Sequence, residues 1–137
     1  MSAENAKLAV RWFEEVWNKQ RVEAIDEMFA ADGLAHGLAP DGSPMIGPEG
    51  FKPFHATFTG AFPDLNIQVE DVICQGDKTA VRFSGSGTHR GDHLGVAPTG
   101  QTVKFTGMSF IRWRNGQIIE GWNNVDMISV LQPIGAL

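Results

Sequence analysis

The sequence runs to 137 residues with a formal net charge of -5, 42% hydrophobic and 20% charged residues. That length suits one domain with one core and is too short for separate cofactor and substrate domains, so residues 1–137 are read as a single unit. The acidic balance gives no broad basic surface for nucleic acid, and the lone Cys74 cannot form an internal disulfide. No apolar run approaches the about 20 residues that a membrane helix needs. The opening Met1-Ser2-Ala3-Glu4-Asn5 passes straight into an amphipathic pattern with no signal-peptide layout, so the expected location is the cytoplasm.

Leu8, Val10, Trp12, Phe13, Val16 and Trp17 recur at helical spacing and predict a first helix from Ala3 to Asn18. A second, shorter helix over Val22 to Phe29 would gather Val22, Ile25, Met28 and Phe29 on one side. Leu34 to Leu38 reads as a short strand before the turn-rich Ala39-Pro40-Asp41-Gly42-Ser43-Pro44. A third helix is expected from Pro48, a residue favoured in a first turn, toward Phe62, with Phe51, Phe54 and Phe58 on one face. Pro53 falls early enough in it to be tolerated.

Beyond Pro63 the pattern is β. Gly76-Asp77 separates Asn66–Gln75 from Lys78–Ser86, and Asn115-Gly116, a strong two-residue hairpin signal, separates Val103–Arg114 from Gln117–Asp126. Helices first and an antiparallel sheet second predict an α+β fold, with the N-terminal helices packed on the concave face of a curved, mostly antiparallel sheet. An unbulged hairpin would set Ser109 opposite Trp122, Gly107 opposite Asn124 and Phe105 opposite Asp126. The opposite face would carry Met108, Phe110 and Ile119 among Lys104, Arg112 and Arg114. Apolar members on such a face suggest burial by a second copy, so a homodimer is expected.

The last strand carries the candidate chemistry. Strict alternation puts Ile118, Glu120, Trp122, Asn124 and Asp126 on one side. A carboxylate beside an indole on an apolar face is poorly solvated, which raises its pKa toward the range useful for moving protons. Asp126 is the candidate general acid/base; Asp126-Met127-Ile128-Ser129 also has the form of a helix cap. His36 on the first strand is the candidate partner that would shuttle the proton, against the plainer reading of a half-buried histidine with a backbone partner. Trp122, Phe13, Trp17, Phe51, Phe54 and Phe58 are the candidate apolar walls, with Ser109 and Asn124 beside them.

Several ordered motifs, Phe62-Pro63-Asp64-Leu65, Gly76-Asp77-Lys78, Val81-Arg82-Phe83, Gly87-Thr88-His89-Arg90-Gly91, Pro98-Thr99-Gly100, Ile111-Arg112, Asn115-Gly116 and Glu120-x-Trp122-x-x-x-Asp126, resemble the SnoaL-like polyketide cyclases of the nuclear transport factor 2-like superfamily. The resemblance implies a cone-shaped α+β barrel. It also implies an aspartate on the last strand, here Asp126, acting in an intramolecular aldol ring closure without metal or cofactor. The histidine that the family places on the preceding strand has no counterpart, because no histidine lies between Leu94 and Asp126.

The function expected is a cofactor-independent cyclase or isomerase acting on a small, apolar, carbonyl-bearing molecule, without nucleic-acid or membrane partners. Two alternatives stand beside it. A cavity arginine, Arg82, working with Asp126 would resemble the epoxide hydrolases of the superfamily, although Arg82 is more simply the cross-strand partner of Asp71. A non-catalytic ligand-binding or assembly module is the other. His89, Asp92 and His93 match no standard metal-ligand spacing and are read as loop residues, so no metal is expected. Ser84, Ser86 and Ser109 lack a nucleophile elbow, and Gly85-x-Gly87 lacks the setting of a dinucleotide site.

Overall fold

A computed structural model describes residues Ser2–Leu137. Helix α1 (Ser2–Trp12) runs without a break into a wider, π-type turn over Phe13–Asn18, closed by the Lys19 N–H donating to the Glu14 carbonyl at 2.8 Å. The expected single helix is therefore two helical pitches in series. The wider turn lets Phe13, Val16 and Trp17 all point inward.

Buried His55, from the helix over Gly47–Ala61, donates Nε2–H to the Val16 carbonyl at 2.7 Å and packs against Trp17. Burial lowers its pKa below the usual 6.5, outweighing the hydrogen bond, so the folded state prefers it neutral. The unfolded chain then binds the extra proton first. Its contribution is complete above pH 6.5 and declines as pH falls below that value. Urea unfolding of the wild type should show this loss, and a His55→Gln variant, which keeps a donor but cannot titrate, should show a shallower one.

Helix α2 (Val22–Met28) leads directly into β1 (Phe29–His36). This strand starts five residues before the expected Leu34, because Phe29 belongs to it and not to the helix. The Phe29 ring stands edge-on to both Trp12 and Phe51. The two-residue β2 (Met45–Ile46) precedes α3 (Gly47–Ala61), with proline in its first turn as expected. The remaining elements are β3 (Asn66–Gln75), β4 (Lys78–Thr88), β5 (Thr102–Arg114), β6 (Gln117–Val125) and a short α4 (Met127–Leu131).

The sheet runs β2-β1-β6-β5-β4-β3, antiparallel except for the parallel β1/β6 pair. It is curved but does not close into a barrel, with β2 and β3 as its edges. The helices pack on one face, where Phe13 meets Phe83 at 4.8 Å between ring centres. This is the α+β architecture expected.

One register differs from expectation. The Asn115-Gly116 turn is the tight loop foreseen, with φ of 52° and 78°, and Arg114 pairs with Gln117. However, Trp113 pairs with Ile118 while Arg112 pairs with Glu120, so Ile119 is an extra residue, a β-bulge. Phe110, not Ser109, therefore stands opposite Trp122, Met108 opposite Asn124, and Gly107 opposite Val125. The physical reason is that Trp113 and Ile118 are both needed in the core, with the Trp113 indole N–H bonded to buried Thr79 at 3.0 Å. The bulge keeps Ile118 inside and turns Glu120, Trp122 and Asn124 out. Gly121, Asn123 and Val125 take the inner positions.

Candidate functional site

Between the helices and the inner sheet face lies an apolar cavity of about 100 Å³. The helices supply Phe13, Trp17, Phe51, Phe54 and Phe58, five of the six side chains expected as walls, and β4, β5 and β6 supply Phe83, Phe105, Ile111 and Ile118. Apart from the indole N–H groups of Trp12 and Trp17, the polar side chains among these described lining residues are Ser109 and Asn123. They are coupled: Ser109 Oγ–H donates to Asn123 Oδ1 at 2.6 Å. Asn123 Nδ2 in turn donates to the His36 main-chain carbonyl at 3.0 Å.

This arrangement fixes the amide. The His36 carbonyl can only accept, so nitrogen must face it and oxygen must face Ser109. One Asn123 N–H and the lone pairs of the Ser109 hydroxyl are left for a ligand. An N–H aimed into a dry, apolar space polarises a carbonyl far more than it would in water. Sequence reading singled out Ser109 but chose Asn124 where the structure places Asn123. Asn124 faces the other side, exposed beside Met108.

Asp126 is not in the setting expected of it. Its carboxylate caps α4, accepting the Ser129 N–H at 3.2 Å and the Ser129 hydroxyl at 2.6 Å. These bonds hold its pKa below the ordinary carboxylate value, not above it. The side chain is exposed and does not line the cavity, although its neighbours Val125 and Met127 do. Because asparagine also caps well, Asp126→Asn should leave the thermal midpoint near that of the wild type, whereas Asp126→Ala should lower it. Loss of turnover in Asp126→Asn at unchanged stability would instead return a chemical role to this carboxylate.

Trp122 and His36 meet, but on the outer sheet face. Their rings stack at 5.5 Å and 20°, and the Trp122 edge meets Phe110 at 6.0 Å. Trp122 is 39% exposed, so it is not a cavity wall. The carboxylate beside His36 is Glu120, with Nε2 to Oε2 at 2.7 Å, and not Asp126. Arg82 also faces outward, opposite Asp71 as the sequence suggested. Neither Arg82 nor Asp126 reaches the cavity, which removes the geometry that the epoxide-hydrolase reading requires.

His89 is buried in the loop after β4, accepting the Thr99 N–H on Nδ1, while the half-exposed His93 ring lies over Gly60. Among the described residues, no three His, Cys, Asp or Glu side chains are placed to hold a metal ion. No described helix is long and apolar enough to cross a membrane.

The chain resembles several solved structures along its whole length. A protein from Jannaschia sp. CCS1, described as a SnoaL-like polyketide cyclase, is 27% identical, with a TM-score of 0.87 over 99% of this chain and 94% of that one. IdmH from Streptomyces antibioticus, described as a polyketide cyclase, is 29% identical, with a TM-score of 0.82 over 96% and 99%. AclR from Streptomyces galilaeus, described as a hydroxylase, is 26% identical, with a TM-score of 0.85 over 100% and 88%. A comparison with curated proteins found no match. The motifs read from the sequence, the helix-covered open sheet and a family model that spans residues 7–134 converge on one assignment: the chain belongs to the SnoaL-like polyketide cyclase family.

Proposed function

We propose that this protein is a cofactor-independent cyclase or isomerase that folds a small, apolar, carbonyl-bearing molecule inside the cone, with Asn123 and Ser109 holding the reacting oxygens. Family membership supports activity of the cyclase or isomerase type. The observation that carries the finer reading is the Ser109–Asn123 pair, a polar spot set into an otherwise apolar lining. An intramolecular aldol addition is itself an isomerisation. The enol C=C π bond is used to form the new C–C bond, the enol C–O becomes a carbonyl, and the enol O–H proton ends on the new hydroxyl made from the attacked carbonyl. The protein need not supply or keep a proton. Ser109 would accept the enol O–H while Asn123 donates to the electrophilic carbonyl.

Magnitudes divide the work. Holding two groups of one molecule in a reactive geometry is worth up to about 7–11 kcal/mol, and one well-aimed donor about 2.7–4 kcal/mol. Confinement by the aromatic walls therefore contributes more than polarisation does. The test is ring closure of ortho-acetonylacetophenone, followed with and without protein through the fluorescent methylnaphthol that its isomeric aldol adduct forms on losing one water. Acceleration above buffer supports the proposal. Tight binding without acceleration supports the binding-module alternative, which the absence of a titratable side chain from the described lining favours.

The homodimer belongs to the same proposal. Met108, Phe110, Trp122 and Ile73 leave apolar surface on the outer sheet face, flanked by Arg82, Arg112, Glu120 and Asp71, so both charge signs are present for a two-fold partner. Sedimentation should give a dimer for the wild type and a monomer for Phe110→Glu. A wild-type monomer at high concentration would refute the dimer without touching the cavity.

A further inference from the structure

Resting on the reading of Asn123 above, we propose that His36 and Glu120 are positioning residues that set the Asn123 amide from the opposite face of the sheet. The link runs through one residue. His36 places its side chain on the outer face, against Glu120 at 2.7 Å and stacked on Trp122, while its main-chain carbonyl accepts the Asn123 Nδ2–H at 3.0 Å on the inner side. Both partners are on β6, so the latch and the amide report the same displacement: any slip of β1 along β6 breaks both. In the parallel pair His36 stands opposite Trp122, one residue from Asn123.

The rest of this pairing does not hold that register alone. The β1/β6 ladder is interrupted between Phe29 and Leu34, so its regular part covers only Leu34 to His36. Immediately afterwards Gly37 takes φ of +85°, and a side chain there would run into the Asn123 carbonyl oxygen. Gly37, just past the end of β1, thus lies close against Asn123 with no side chain of its own, which leaves His36 as the last side chain of the strand that can anchor it. Glu120 is the fixed member of the latch. Its second carboxylate oxygen lies 3.8 Å from Arg112 on β5, and Arg112 lies 3.6 Å from Asp77 in the β3–β4 turn. On its other side β1 meets Met45 and Ile46 of β2, neither of which carries charge.

A matched pair of probes reads the amide separately from the walls. Alpha-tetralone and tetralin share their carbon framework, and only the ketone can accept the free Asn123 N–H. The ratio of their dissociation constants, measured by quenching of tryptophan fluorescence, isolates that hydrogen bond. The wild type should favour the ketone about fivefold, as one net hydrogen bond allows. Asn123→Leu should abolish the preference while tetralin still binds. If Asn123→Leu keeps it, the reading of Asn123 fails and the positioning role falls with it.

His36→Leu and Glu120→Leu are the decisive arms. Each should lose the ketone preference with tetralin affinity unchanged, and His36→Gln, whose amide can still donate to Glu120, should restore it. Two independent variants guard against one that does not fold. Retention of the preference in either leucine variant, with Asn123→Leu negative, overturns the positioning role and leaves the cavity reading standing. Equal weakening of both probes shows a merely structural contribution and overturns it as well.

Discussion

Asn123→Leu is expected to slow ring closure about 10²–10³-fold in kcat, the cost of losing one donor aimed at a developing oxyanion. The side chain lines the same cavity as Phe105, Ile111, Val125 and Met127, and leucine replaces it with apolar atoms at little change of volume. It also removes the acceptor of Ser109 and the donor to the His36 carbonyl, so the loss reports a coupled unit. Its signature should be a fall in kcat with KM nearly constant, because the bond strengthens as charge builds on the carbonyl oxygen. Ser109→Ala should act in the same direction, and the double variant should cost less than the product of the two single effects. A rise in KM alone would show that Asn123 binds the substrate without stabilising the transition state. Unchanged kinetics would remove it from the chemistry.

Phe29→Ala is expected to destabilise the fold by about 3–5 kcal/mol, the usual cost of truncating a core phenylalanine. The ring is 2% exposed, stands edge-on to Trp12 and Phe51, and lies over Gly33, which leaves room for it by lacking a side chain. It also borders the cavity. Truncation would therefore enlarge an existing space instead of opening an isolated void that neighbours can fill. Urea unfolding should show a large fall in midpoint at unchanged slope, since the surface exposed on unfolding barely alters. The residual folded protein should bind tetralin more weakly, because a wall has been withdrawn. A loss below about 1 kcal/mol would mean that the aromatic cluster relaxes into the gap, contrary to the close packing of the site.

Aromatic spacing in α1 with its π-type continuation and in α3 located helical segments whose inner faces carry Phe13, Trp17, Phe51, Phe54 and Phe58, and these residues do converge on one cavity. Helical periodicity is a local property, so the sequence already contains it. The turn pairs Gly76-Asp77 and Asn115-Gly116 likewise located two hairpins, because the positive φ at Gly76, Asn115 and Gly116 selects glycine and asparagine. The ordered motifs of the second half identified the family, which a model over residues 7–134 also matches.

The polar part of the site was not legible in this way. Sequence alternation alone places Trp122, Asn124 and Asp126 inward, and it would be right if β6 were regular. One inserted residue at Ile119 reverses the parity of everything after it, and a bulge leaves no composition signal. Asn123 and Asn124 are chemically identical neighbours, so no local rule ranks them.

The α+β class, the aromatic helix faces, the hairpin turns and the family were thus readable from the chain of residues, since each depends on short-range periodicity, turn chemistry or ordered motifs. Folding in three dimensions settled the rest: which asparagine faces the cavity, that Asp126 caps a helix, and that His36 pairs with Glu120 across a separation of 84 residues. Those outcomes depend on whether Trp113 and Ile118 can both be buried at once. That is a packing competition between distant strands, and no window of neighbouring residues records its result.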